Sequence, residues 1–576
     1  MKNHSALEIM RHSTAHLLAA AVGDLFPKTK LGIGPTIENG FYYDFDFKKP
    51  LLESDLAKIE AKMLELKKKK TPYKKVNKQI DEAIKFNQEI DQPYKTELTQ
   101  ELKKSGETKA SFYETGHFVD LCEGPHVNNS GEIGAFKLTS IAGAYWRGSE
   151  KNPMLTRIYG TAWNNEMELE EHLEKVEEAK RRDHRRLGQE LEMLFFHPTA
   201  PGMPYFLPKG AAFYNQLLQF SREEHAKNGY QEIFSPLLNK KELFVTSGHW
   251  EHYLENMFVI ETEEKETYGV KAMNCPNAMI VFGSKSRSYR DLPLRLFDAD
   301  MLHRYERSGT LNGLFRVREF RQDDAHIFAT EDQIKQEFRR LFELVEKFYS
   351  VFNLEYSFRL GTRPEKFLGQ TSSWEKAEKI LKEVLKASGK DHLILEGDGA
   401  FYGPKIDILM KDSLDRQWQM GTLQLDFQIP HKFGLKYTAE DGVDKTPVTI
   451  HRAIYGSFER FIGILIEHYG GNFPLWLSPV QVIIVPIADR HNEYAALQQE
   501  KLLNSGIRTE IDTKSATMQS KIRDAELAKI PYIFVLGDRE VAQQTVTVRK
   551  RLSKDQKVLA VDESIAGLQK EIESKE

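Results

Sequence analysis

A highly charged segment over residues 166–188, EMELEEHLEKVEEAKRRDHRRLG, constrains the fold more than any other feature of the chain. It is acidic at its start and basic at its end, an order that the dipole of one continuous helix favours. A cluster of proline and glycine follows over residues 197–210 and marks a boundary. The chain has 576 residues, against roughly 150 in a typical domain, so we expect separate domains joined by this helix.

The composition is that of a soluble globular protein, with 40% hydrophobic and 29% charged residues. Apolar runs such as VIIVPI at residues 482–487 are far shorter than the ~18 residues of a membrane span. The N-terminus lacks the apolar core of a secretory signal, and Cys122 and Cys275 are too few for a disulfide framework. These features predict a cytoplasmic protein with no membrane partner. The net charge of -4 means that a polyanion would have to bind local basic patches.

The patterning predicts a multidomain α+β protein. We place an α+β domain at residues 1–163, the linker helix at 164–187, a long mixed region at 188–477 and a small α/β domain with a largely parallel sheet at 478–576. Ser5 and Glu8 form a capping-box pattern that begins a helix, which ends before Pro27. In GFYYDFDF, the aromatic residues alternate with Asp44 and Asp46, which predicts a half-buried strand.

Two sets of histidine and cysteine residues could bind metal or transfer protons. His12 and His16 lie one helical turn apart, and Cys122 and His126 flank a Pro125 that indicates a turn. The residue after His12 is serine, not the glutamate that an HExxH metalloprotease requires. The second set is Cys275, His326 and His451, whose wide spacing fits no local metal motif. From spacing alone, both sets are equally compatible with unrelated residues.

An arginine-rich stretch, HRYERSGTLNGLFRVREFRQDD, is the strongest candidate for binding a nucleotide. Its guanidinium groups suit phosphates and its phenylalanines suit a base, although an exposed charged hairpin would look similar. The chain has no GxxxxGK[ST] loop and no GxGxxG motif in a βαβ setting, which argues against a P-loop or Rossmann site.

These motifs together resemble the class II aminoacyl-tRNA synthetases, and within them the threonyl-tRNA synthetase family. HRYE with Arg316 and Phe320 resembles motif 2, GSFERFIG resembles motif 3, and Pro236 in GYQEIFSPLL resembles the dimer-forming motif 1. The segments MNCPNAM, RQDDAHIF, FYGPKID, WQMGTLQLDF and IHRAIYGS resemble this family over essentially the whole chain from His4 onward. Members generally carry a ubiquitin-like domain before the editing domain, so we expect a form that lacks it.

The resemblance implies a catalytic domain with an antiparallel sheet that makes threonyl-AMP from ATP and L-threonine and transfers threonine to tRNA(Thr). It implies one Zn²⁺, with Cys275, His326 and His451 as ligands, and Mg²⁺ accompanying ATP. It assigns Asp324, Tyr402 and Gln419 to the amino acid and places His249 near the tRNA 3′ end. It assigns the ATP site to Arg304, Glu306, Arg316, Phe320, Gln424 and Arg460.

A second site follows for hydrolysis of mischarged seryl-tRNA, because serine also offers a hydroxyl and is smaller than threonine. The resemblance assigns this editing to His12, His16, Lys95, Asp120, Cys122 and His126. We interpret them as proton-transfer and positioning groups, with Cys122 as a covalent nucleophile in a rival account.

The C-terminal domain resembles an anticodon-binding domain, in which Glu540 and Arg549 match positions that contact anticodon bases. The basic runs near Lys67–Lys75 and Lys180–Arg186 could follow the tRNA backbone or could be solvated surface. Motif 1 implies a homodimer. Two alternative functions are another class IIa synthetase and a translational regulator without charging activity; retention of Arg304, Arg316 and Arg460 argues against the regulator.

Overall fold

The computed structural model describes residues 5–413, 415–553 and 555–575, which form two compact units, 1–178 and 179–576. Each is an α/β arrangement with its own hydrophobic core. In the part of the chain that the structure describes, no helix is both long and apolar enough to cross a membrane.

The first unit contains two sheets. Its helices are α1 (Ala6–Leu25), α2 (Leu56–Lys68), α3 (Ile80–Glu89) and α4 (Pro93–Lys104). Its strands are β1 (Lys30–Leu31), β2 (Thr36–Ile37), β3 (Gly40–Asp46), β4 (Lys74–Gln79), β5 (Lys109–Thr115), β6 (Phe118–Leu121), β7 (Ala135–Tyr145) and β8 (Met154–Trp163). One antiparallel sheet has the order β1-β3-β8-β7, with β2 paired to β3, and the other has the order β4-β5-β6. Helix α1 contacts β3, β6 and β8, so side chains from one helix face meet both sheets.

The N-terminal predictions are confirmed, with one difference in burial. Ser5 and Glu8 form the reciprocal capping box that begins α1. Strand β3 buries Tyr43 and Phe45 as predicted, but Asp44 is buried as well. The reason is an ion pair: Arg157 on the neighbouring β8 donates to both carboxylate oxygens of Asp44, at 2.6 and 2.9 Å.

The charged segment is two helices instead of the single helix that we predicted. Helix α5 (Glu166–Arg182) ends before Asp183, and α6 (His184–Glu190) follows at once. The Asp183 side chain accepts a hydrogen bond from the backbone N–H of Arg185 and so caps α6. A capping residue has non-helical backbone angles, and the break therefore turns the chain at this point.

The main body of the second unit is built on a sheet of eight strands with the order β11-β15-β18-β25-β22-β21-β19-β20. The helices are α7 (Pro208–Lys227), α8 (Lys241–Ser247), α9 (His249–His252), α10 (Cys275–Gly283), α11 (Ile334–Ser350), α12 (Thr371–Ser388), α13 (Ile429–Lys432) and α14 (Phe458–Tyr469). The strands are β9 (Leu194–Phe196), β10 (Pro204–Phe206), β11 (Gln231–Glu232), β12 (Leu238–Lys240), β13 (Val259–Glu261), β14 (Thr267–Val270), β15 (Leu294–Asp298), β16 (Met301–His303), β17 (Glu319–Arg321), β18 (Asp324–Ala329), β19 (Glu355–Gly361), β20 (His392–Leu395), β21 (Lys405–Lys411), β22 (Gln417–Asp426), β23 (Tyr437–Thr438), β24 (Asp444–Lys445) and β25 (Val448–Ala453).

The pairing in this large sheet is antiparallel except at its two ends, where β11 pairs with β15 and β19 with β20 in parallel. Its central strands β18 and β25 are buried along their whole length, and the neighbouring β22 is buried mainly in its second half. Side chains that point out of these strands therefore sit on a rigid support.

The C-terminal part carries a mixed sheet, whereas we predicted a largely parallel one. Its helices are α15 (Asn492–Asn504), α16 (Met518–Leu527), α17 (Asp538–Gln543) and α18 (Val561–Ser574). Its strands are β26 (Val482–Pro486), β27 (Thr509–Ile511), β28 (Tyr532–Leu536), β29 (Thr545–Lys550) and β30 (Gln556–Ala560). Strands β27, β26 and β28 are parallel, while β28, β29 and β30 are antiparallel, because the last strands form a hairpin.

Candidate active sites

Three potential metal ligands in the second unit are brought together by the register of the large sheet. His326 on β18 is paired directly with His451 on β25, and directly opposed residues project from the same face of a sheet. Cys275 is the first residue of α10. One potential ligand atom from each of the three residues lies within 4.8 Å of the others. Residues 51 and 125 positions apart, which spacing could not unite, therefore form one cluster.

The chemistry of this cluster fits a zinc ion. Both ring nitrogens of His326 and Nδ1 of His451 are buried without a hydrogen-bond partner among the described residues. The other nitrogen of His451, Nε2, lies 2.9 Å from the Asp426 carboxylate, to which it donates. Burial lowers the pKa of His326 well below its usual value, so its imidazole is neutral. Two imidazoles, a cysteine and a carboxylate behind one histidine are a donor set typical of zinc. Cys275 and Asp426 raise the pKa of His451 to about 10 despite its burial, so a bound zinc ion would replace a proton on this ring.

A cavity of about 350 Å³ opens beside this cluster, and we call it the His451 cavity. Asp324 and Tyr402, both predicted to contact the amino acid, line it. Asp324 accepts a hydrogen bond from Asn274 at 3.2 Å, and burial raises the pKa of its carboxyl. The volume suits a small polar ligand, and the acidic group suits an ammonium.

Three glutamines differ in their relation to this cavity. Gln424, which the sequence assigned to ATP, lines the cavity and accepts a hydrogen bond from the hydroxyl of Tyr402. Gln419 is exposed and accepts from Arg359 at 2.9 Å, so the structure does not bring it together with Asp324 and Tyr402. Gln322 lines the cavity and was missed, although it stands within the RQDDAHIF segment.

His249, which we predicted to lie near the tRNA 3′ end, also lines the His451 cavity. Its Nδ1 lies 2.8 Å from the hydroxyl oxygen of Ser247. Burial, with smaller effects from His451 and Lys432, lowers the pKa of His249 to about 3. The imidazole is therefore neutral near pH 7 and can accept a proton.

The arginine-rich stretch forms a hairpin loop of residues 304–318 between β16 and β17, which we call the arginine loop. Arg304 lies over the ring of Phe320, with its guanidinium carbon 4.9 Å from the ring centroid. Arg316 pairs with Glu306 at 2.9 Å. Phe320 itself is buried, so one face of its ring is covered by Arg304 in this structure.

Arg460, near the start of α14, completes a cluster of positive charge. Its Nε donates to the carbonyl oxygen of Phe315 at 2.9 Å, and Nη1 donates to the carbonyl oxygen of Gln419 at 3.2 Å. Burial lowers the pKa of Arg460, and the charges of Arg304 and Arg316 lower it further. Three guanidinium groups that repel one another, of which Arg316 is paired with Glu306, form a site suited to a polyphosphate.

The first unit holds the other histidine and cysteine set around a second cavity of about 580 Å³, the Cys122 cavity. The thiol of Cys122 lies 3.4 Å from Nε2 of His12 and 3.4 Å from Nε2 of His126. The ring centroids of His16 and His126 are 4.3 Å apart. All four residues therefore meet, although two come from α1 and two from the turn after β6.

Hydrogen bonds on the far side of two imidazoles fix their tautomers. Nδ1 of His12 donates to the carbonyl oxygen of Pro125 at 3.2 Å. Nδ1 of His126 lies 3.1 Å from the hydroxyl of Ser13, whose own proton goes to the carbonyl oxygen of Ile9. In the neutral form of either ring, Nε2 is then an acceptor that faces Cys122. The one thiol proton of Cys122 can be donated to only one of these two nitrogens.

A buried carboxylate, Asp120, organises the floor of the Cys122 cavity. Lys95 pairs with it at 2.6 Å, and His16 lies 3.8 Å from it. The hydroxyl of Tyr43 also donates to Asp120, a contact that was missed because Tyr43 was interpreted only as a core residue. Lys95, His16 and Tyr43 are all buried, so the cluster holds its charges in fixed positions.

Protonation states in the Cys122 cavity favour proton transfer over covalent catalysis. Burial raises the pKa of Cys122 to about 12, so the thiol is not ionised at neutral pH. Burial also lowers the pKa of His16 and of His126 below their usual values, and neighbouring imidazoles lower both further. A protonated thiol is a poor nucleophile, whereas the neutral imidazoles keep lone pairs that can orient water, although their lowered pKa makes them weak bases.

The two residues predicted to contact anticodon bases lie close to the antiparallel edge of the C-terminal sheet. Glu540 is buried and accepts hydrogen bonds from the backbone of Gly537 at 2.9 Å and from the hydroxyl of Thr547 at 2.7 Å. Arg549 is on β29, with a long 3.8 Å contact to Glu526. Of the two, Arg549 therefore has the freer side chain.

Comparison with known families agrees with this organisation. The chain matches a tRNA synthetase class II core domain (G, H, P, S and T) over residues 258–469 and an anticodon binding domain over residues 481–571. Residues 110–159 match the threonyl and alanyl tRNA synthetase second additional domain. The fold and the arginine cluster thus define a class II aminoacyl-tRNA synthetase with an editing-associated domain, and the predicted fold class is confirmed.

Individual relatives identify the family. A threonine–tRNA ligase of Acetivibrio thermocellus is 49% identical over 98% of this chain and 89% of its own length. A threonine–tRNA ligase of Thermotoga neapolitana is 50% identical over 99% of this chain and 89% of its own. A crystal structure of the RNA binding domain of threonyl-tRNA synthetase from Cryptosporidium parvum matches with 42% identity and a TM-score of 0.66, covering 67% of this chain and 98% of that chain. The chain belongs to the threonine–tRNA ligase family.

Proposed function

We propose that the His451 cavity and the arginine cluster form the site at which this ligase activates L-threonine with ATP and transfers it to tRNA(Thr). The observation that carries the proposal is the convergence of ligand atoms from Cys275, His326 and His451 within 4.8 Å of one another, next to the three-arginine cluster. The first group suits an amino acid that bears a hydroxyl, and the second suits a triphosphate. No observation favours a silent regulator or another class IIa ligase.

Cys275, His326 and His451 would hold the zinc ion. When bound, zinc supplies a Lewis acid that coordinates the amino and hydroxyl groups of threonine and so rejects valine, which lacks the hydroxyl. Asp324 accepts a hydrogen bond from the substrate amino group, and Tyr402 fixes the Gln424 amide beside it. These groups hold the amino acid with its carboxylate directed towards ATP.

The arginines bind ATP, and Mg²⁺ enters with it. Arg304 contacts the α-phosphate, where charge develops as the threonine carboxylate attacks, and Arg316 and Arg460 hold the outer phosphates. Glu306 keeps Arg316 oriented through their ion pair. Phe320 supports the Arg304 guanidinium and the adenine site. For the transfer step, the neutral imidazole of His249 accepts the proton of the tRNA ribose hydroxyl.

The Cys122 cavity is where seryl-tRNA(Thr) is hydrolysed. His12 and His126 present acceptor nitrogens that can take a proton from the attacking water, while Cys122 remains a thiol that positions one of them. Lys95 and Asp120 bind the ribose end of the substrate. In this arrangement the serine ester is cleaved without a covalent enzyme intermediate.

The remaining partners follow from the C-terminal part and from motif 1. Arg549 and Glu540 contact anticodon bases of the tRNA, as side chains commonly do with splayed single-stranded bases. The segment around motif 1 exposes Phe234, Leu237 and Leu238. This apolar group suits a homodimer interface, which light scattering would test, and we place the enzyme in the cytoplasm.

Amino-acid-dependent pyrophosphate exchange tests the proposed activation site. We expect strong exchange with threonine, weaker exchange with serine, none with valine, and loss of exchange after zinc removal. Cys275→Ser should lose both zinc and exchange, while an exchange reaction that is indifferent to chelation would overturn the zinc assignment. His12→Ala should keep threonine charging but accumulate seryl-tRNA(Thr); normal deacylation by this variant would contradict the editing role.

A further inference from the structure

His184 belongs to neither active site described above, yet both of its ring nitrogens make buried hydrogen bonds. Nδ1 lies 2.7 Å from Glu467, and Nε2 accepts the backbone N–H of Leu314 at 2.9 Å. A backbone N–H can only donate, so Nε2 must carry a lone pair and Nδ1 must carry the proton. The ring is therefore a neutral imidazole of one defined tautomer. It connects the start of α6 to the arginine loop.

The loop backbone rests directly on this imidazole. Gly313 has a φ of +49°, and a Cβ built there would lie 2.2 Å from Nε2 of His184. The ring of Phe315 stacks at a tilt against His184, with 4.2 Å between centroids. The backbone N–H groups of Phe315 and Arg316 both point to the carbonyl oxygen of Asn312, which makes residues 312–316 a tight turn. His184 therefore contacts the tip of that turn.

Helix α14 contacts the same turn through one face. Arg460, Gly463 and Glu467 are spaced by three and four residues, so they share that face. Arg460 donates to the carbonyl oxygen of Phe315. Gly463 leaves room for Leu314 and Phe315, whose atoms would lie 3.1 Å from a Cβ at that position. Glu467 accepts from His184 and also pairs with Arg416. The helix thus holds both the loop and the residue that supports the loop.

We propose that His184 is a positioning residue for ATP binding, because its Nε2 lone pair fixes the tip of the arginine loop. The hydrogen bond to Leu314 also holds the neighbouring carbonyl of Phe315, which orients the guanidinium of Arg460. The same hydrogen bond holds the backbone of Arg316 in place. This inference rests on the proposed roles of Arg316 and Arg460 as ATP contacts. His184 touches neither substrate, and it acts through the loop alone.

Two substitutions separate the two hydrogen bonds of His184. The side-chain amide of asparagine reaches the position of Nδ1, so His184→Asn keeps a donor to Glu467 but leaves the buried N–H of Leu314 without an acceptor. Glutamine reaches the position of Nε2, so His184→Gln keeps an acceptor for Leu314. If His184 only held α6 against α14, the KM for ATP would be less affected in the asparagine variant. If it positions the loop, the KM for ATP is less affected in the glutamine variant.

Pyrophosphate exchange by the full-length zinc-loaded enzyme measures the effect on ATP. We expect His184→Asn to raise the KM for ATP about tenfold and to change the KM for threonine by less than about twofold. His184→Gln should restore the KM for ATP to within about threefold of the wild-type value. His392→Asn, at an exposed histidine on β20, is the matched control. Equal behaviour of the asparagine and glutamine variants would overturn the positioning role.

Amide hydrogen exchange of the peptide containing residues 311–316 tests the loop independently of ATP. His184→Asn should accelerate its exchange about tenfold, and His184→Gln should leave it near the wild-type rate. Arg460→Gln separates the two proposals: an unchanged KM for ATP in that variant refutes the ATP role of Arg460, while the exchange rates still decide whether His184 holds the loop. The tautomer can also be measured in wild-type protein labelled with ¹⁵N-histidine, so this test needs no substitution of His184. A proton on Nε2 of His184 would overturn the inference.

Discussion

The substitution Asp426→Asn offers a sharp test of the proposed zinc site, because it changes one buried group without changing its shape. One carboxylate oxygen of Asp426 accepts the backbone N–H groups of Gln428 and Ile429, at 2.6 and 3.1 Å. The other accepts Nε2–H of His451 at 2.9 Å. An asparagine oxygen can replace only one of these acceptors. Since the two backbone donors hold it, the amide NH₂ would face His451.

Two donors would then oppose each other at Nε2, and His451 would have to move its proton to Nδ1. In the described part of the chain that nitrogen has no oxygen or nitrogen as a partner, and its lone pair is needed to bind a metal. Loss of such an outer-shell carboxylate typically weakens metal binding about 10–100-fold, or about 1.4–2.8 kcal/mol. We expect a loss in this range, because Asp426 is fully buried and no water can replace its charge.

Competition with a chromophoric chelator measures the dissociation constant for zinc in the wild type and in Asp426→Asn. The control is Asp444→Asn, at an exposed carboxylate on β24. Circular dichroism should show both variants folded. A zinc dissociation constant for Asp426→Asn within about twofold of the wild-type constant would refute the tautomer argument and the assignment of His451 as a ligand.

Three further predictions concern the other sites. Because burial raises the pKa of Cys122 to about 12, iodoacetamide should alkylate this thiol roughly a thousandfold more slowly than it alkylates the thiol of glutathione near neutral pH. Mass spectrometry measures the two rates, and comparable rates would contradict a protonated thiol. Because the folded pKa values of His16 and His126 are lowered, the first unit should be fully stable above about pH 6.5 and lose stability as the pH falls below it. Amide exchange in α1 that is no faster in acid, after correction for the intrinsic rate, would contradict this. Arg549→Ala should reduce tRNA charging about tenfold while pyrophosphate exchange is unchanged; equal loss of both activities would argue against a base contact.

Local patterns predicted those elements whose causes are local. The capping box of Ser5 and Glu8 specifies the start of α1 because all of its hydrogen bonds lie within four residues. The same kind of reasoning failed in the charged segment, where Asp183 looked like one more helical charge. The break there depends on Asp183 capping the following helix, and its neighbour His184 is held by Glu467, 283 residues away. A contact between residues so far apart in the sequence cannot be detected from local periodicity.

The candidate sites show the same limit. Resemblance named Cys275, His326 and His451, and only the pairing of β18 with β25 explains why His326 and His451 meet. Asp426 stood within the WQMGTLQLDF segment, but its role depends on the pairing of β22 with β25. Tyr43 was predicted correctly as buried, while its hydroxyl contact with Asp120 crosses from one sheet to the other. Local patterns alone could not assign roles to side chains whose partners come from another strand or sheet.

Both cavities bring histidine and cysteine together, and their electrostatics predict that only one of them retains zinc. In the His451 cavity, buried imidazole nitrogens have no hydrogen-bond partner among the described residues, and the carboxylates of Asp426 and Asp324 lie nearby. Negative charge around free lone pairs stabilises a cation. In the Cys122 cavity, the buried ammonium of Lys95 neutralises Asp120 at 2.6 Å, and its charge also lowers the pKa of His16. The Cys122 cavity thus has an ammonium where the zinc cluster has the carboxylate of Asp426, and this positive charge disfavours a divalent ion.

We therefore expect one zinc ion per chain after dialysis against a weak chelator, measured by elemental analysis of the full-length enzyme. Cys275→Ser should reduce the content to none, whereas Cys122→Ser should leave it at one. The two variants make the same chemical change in the two cavities, so each is the control for the other. Two ions per chain, with one lost in each variant, would show that Lys95 does not exclude a cation and would make the Cys122 cavity a second metal site. Loss of the single ion from Cys122→Ser alone would reverse the assignment and leave the threonine selectivity of the His451 cavity without its proposed cause.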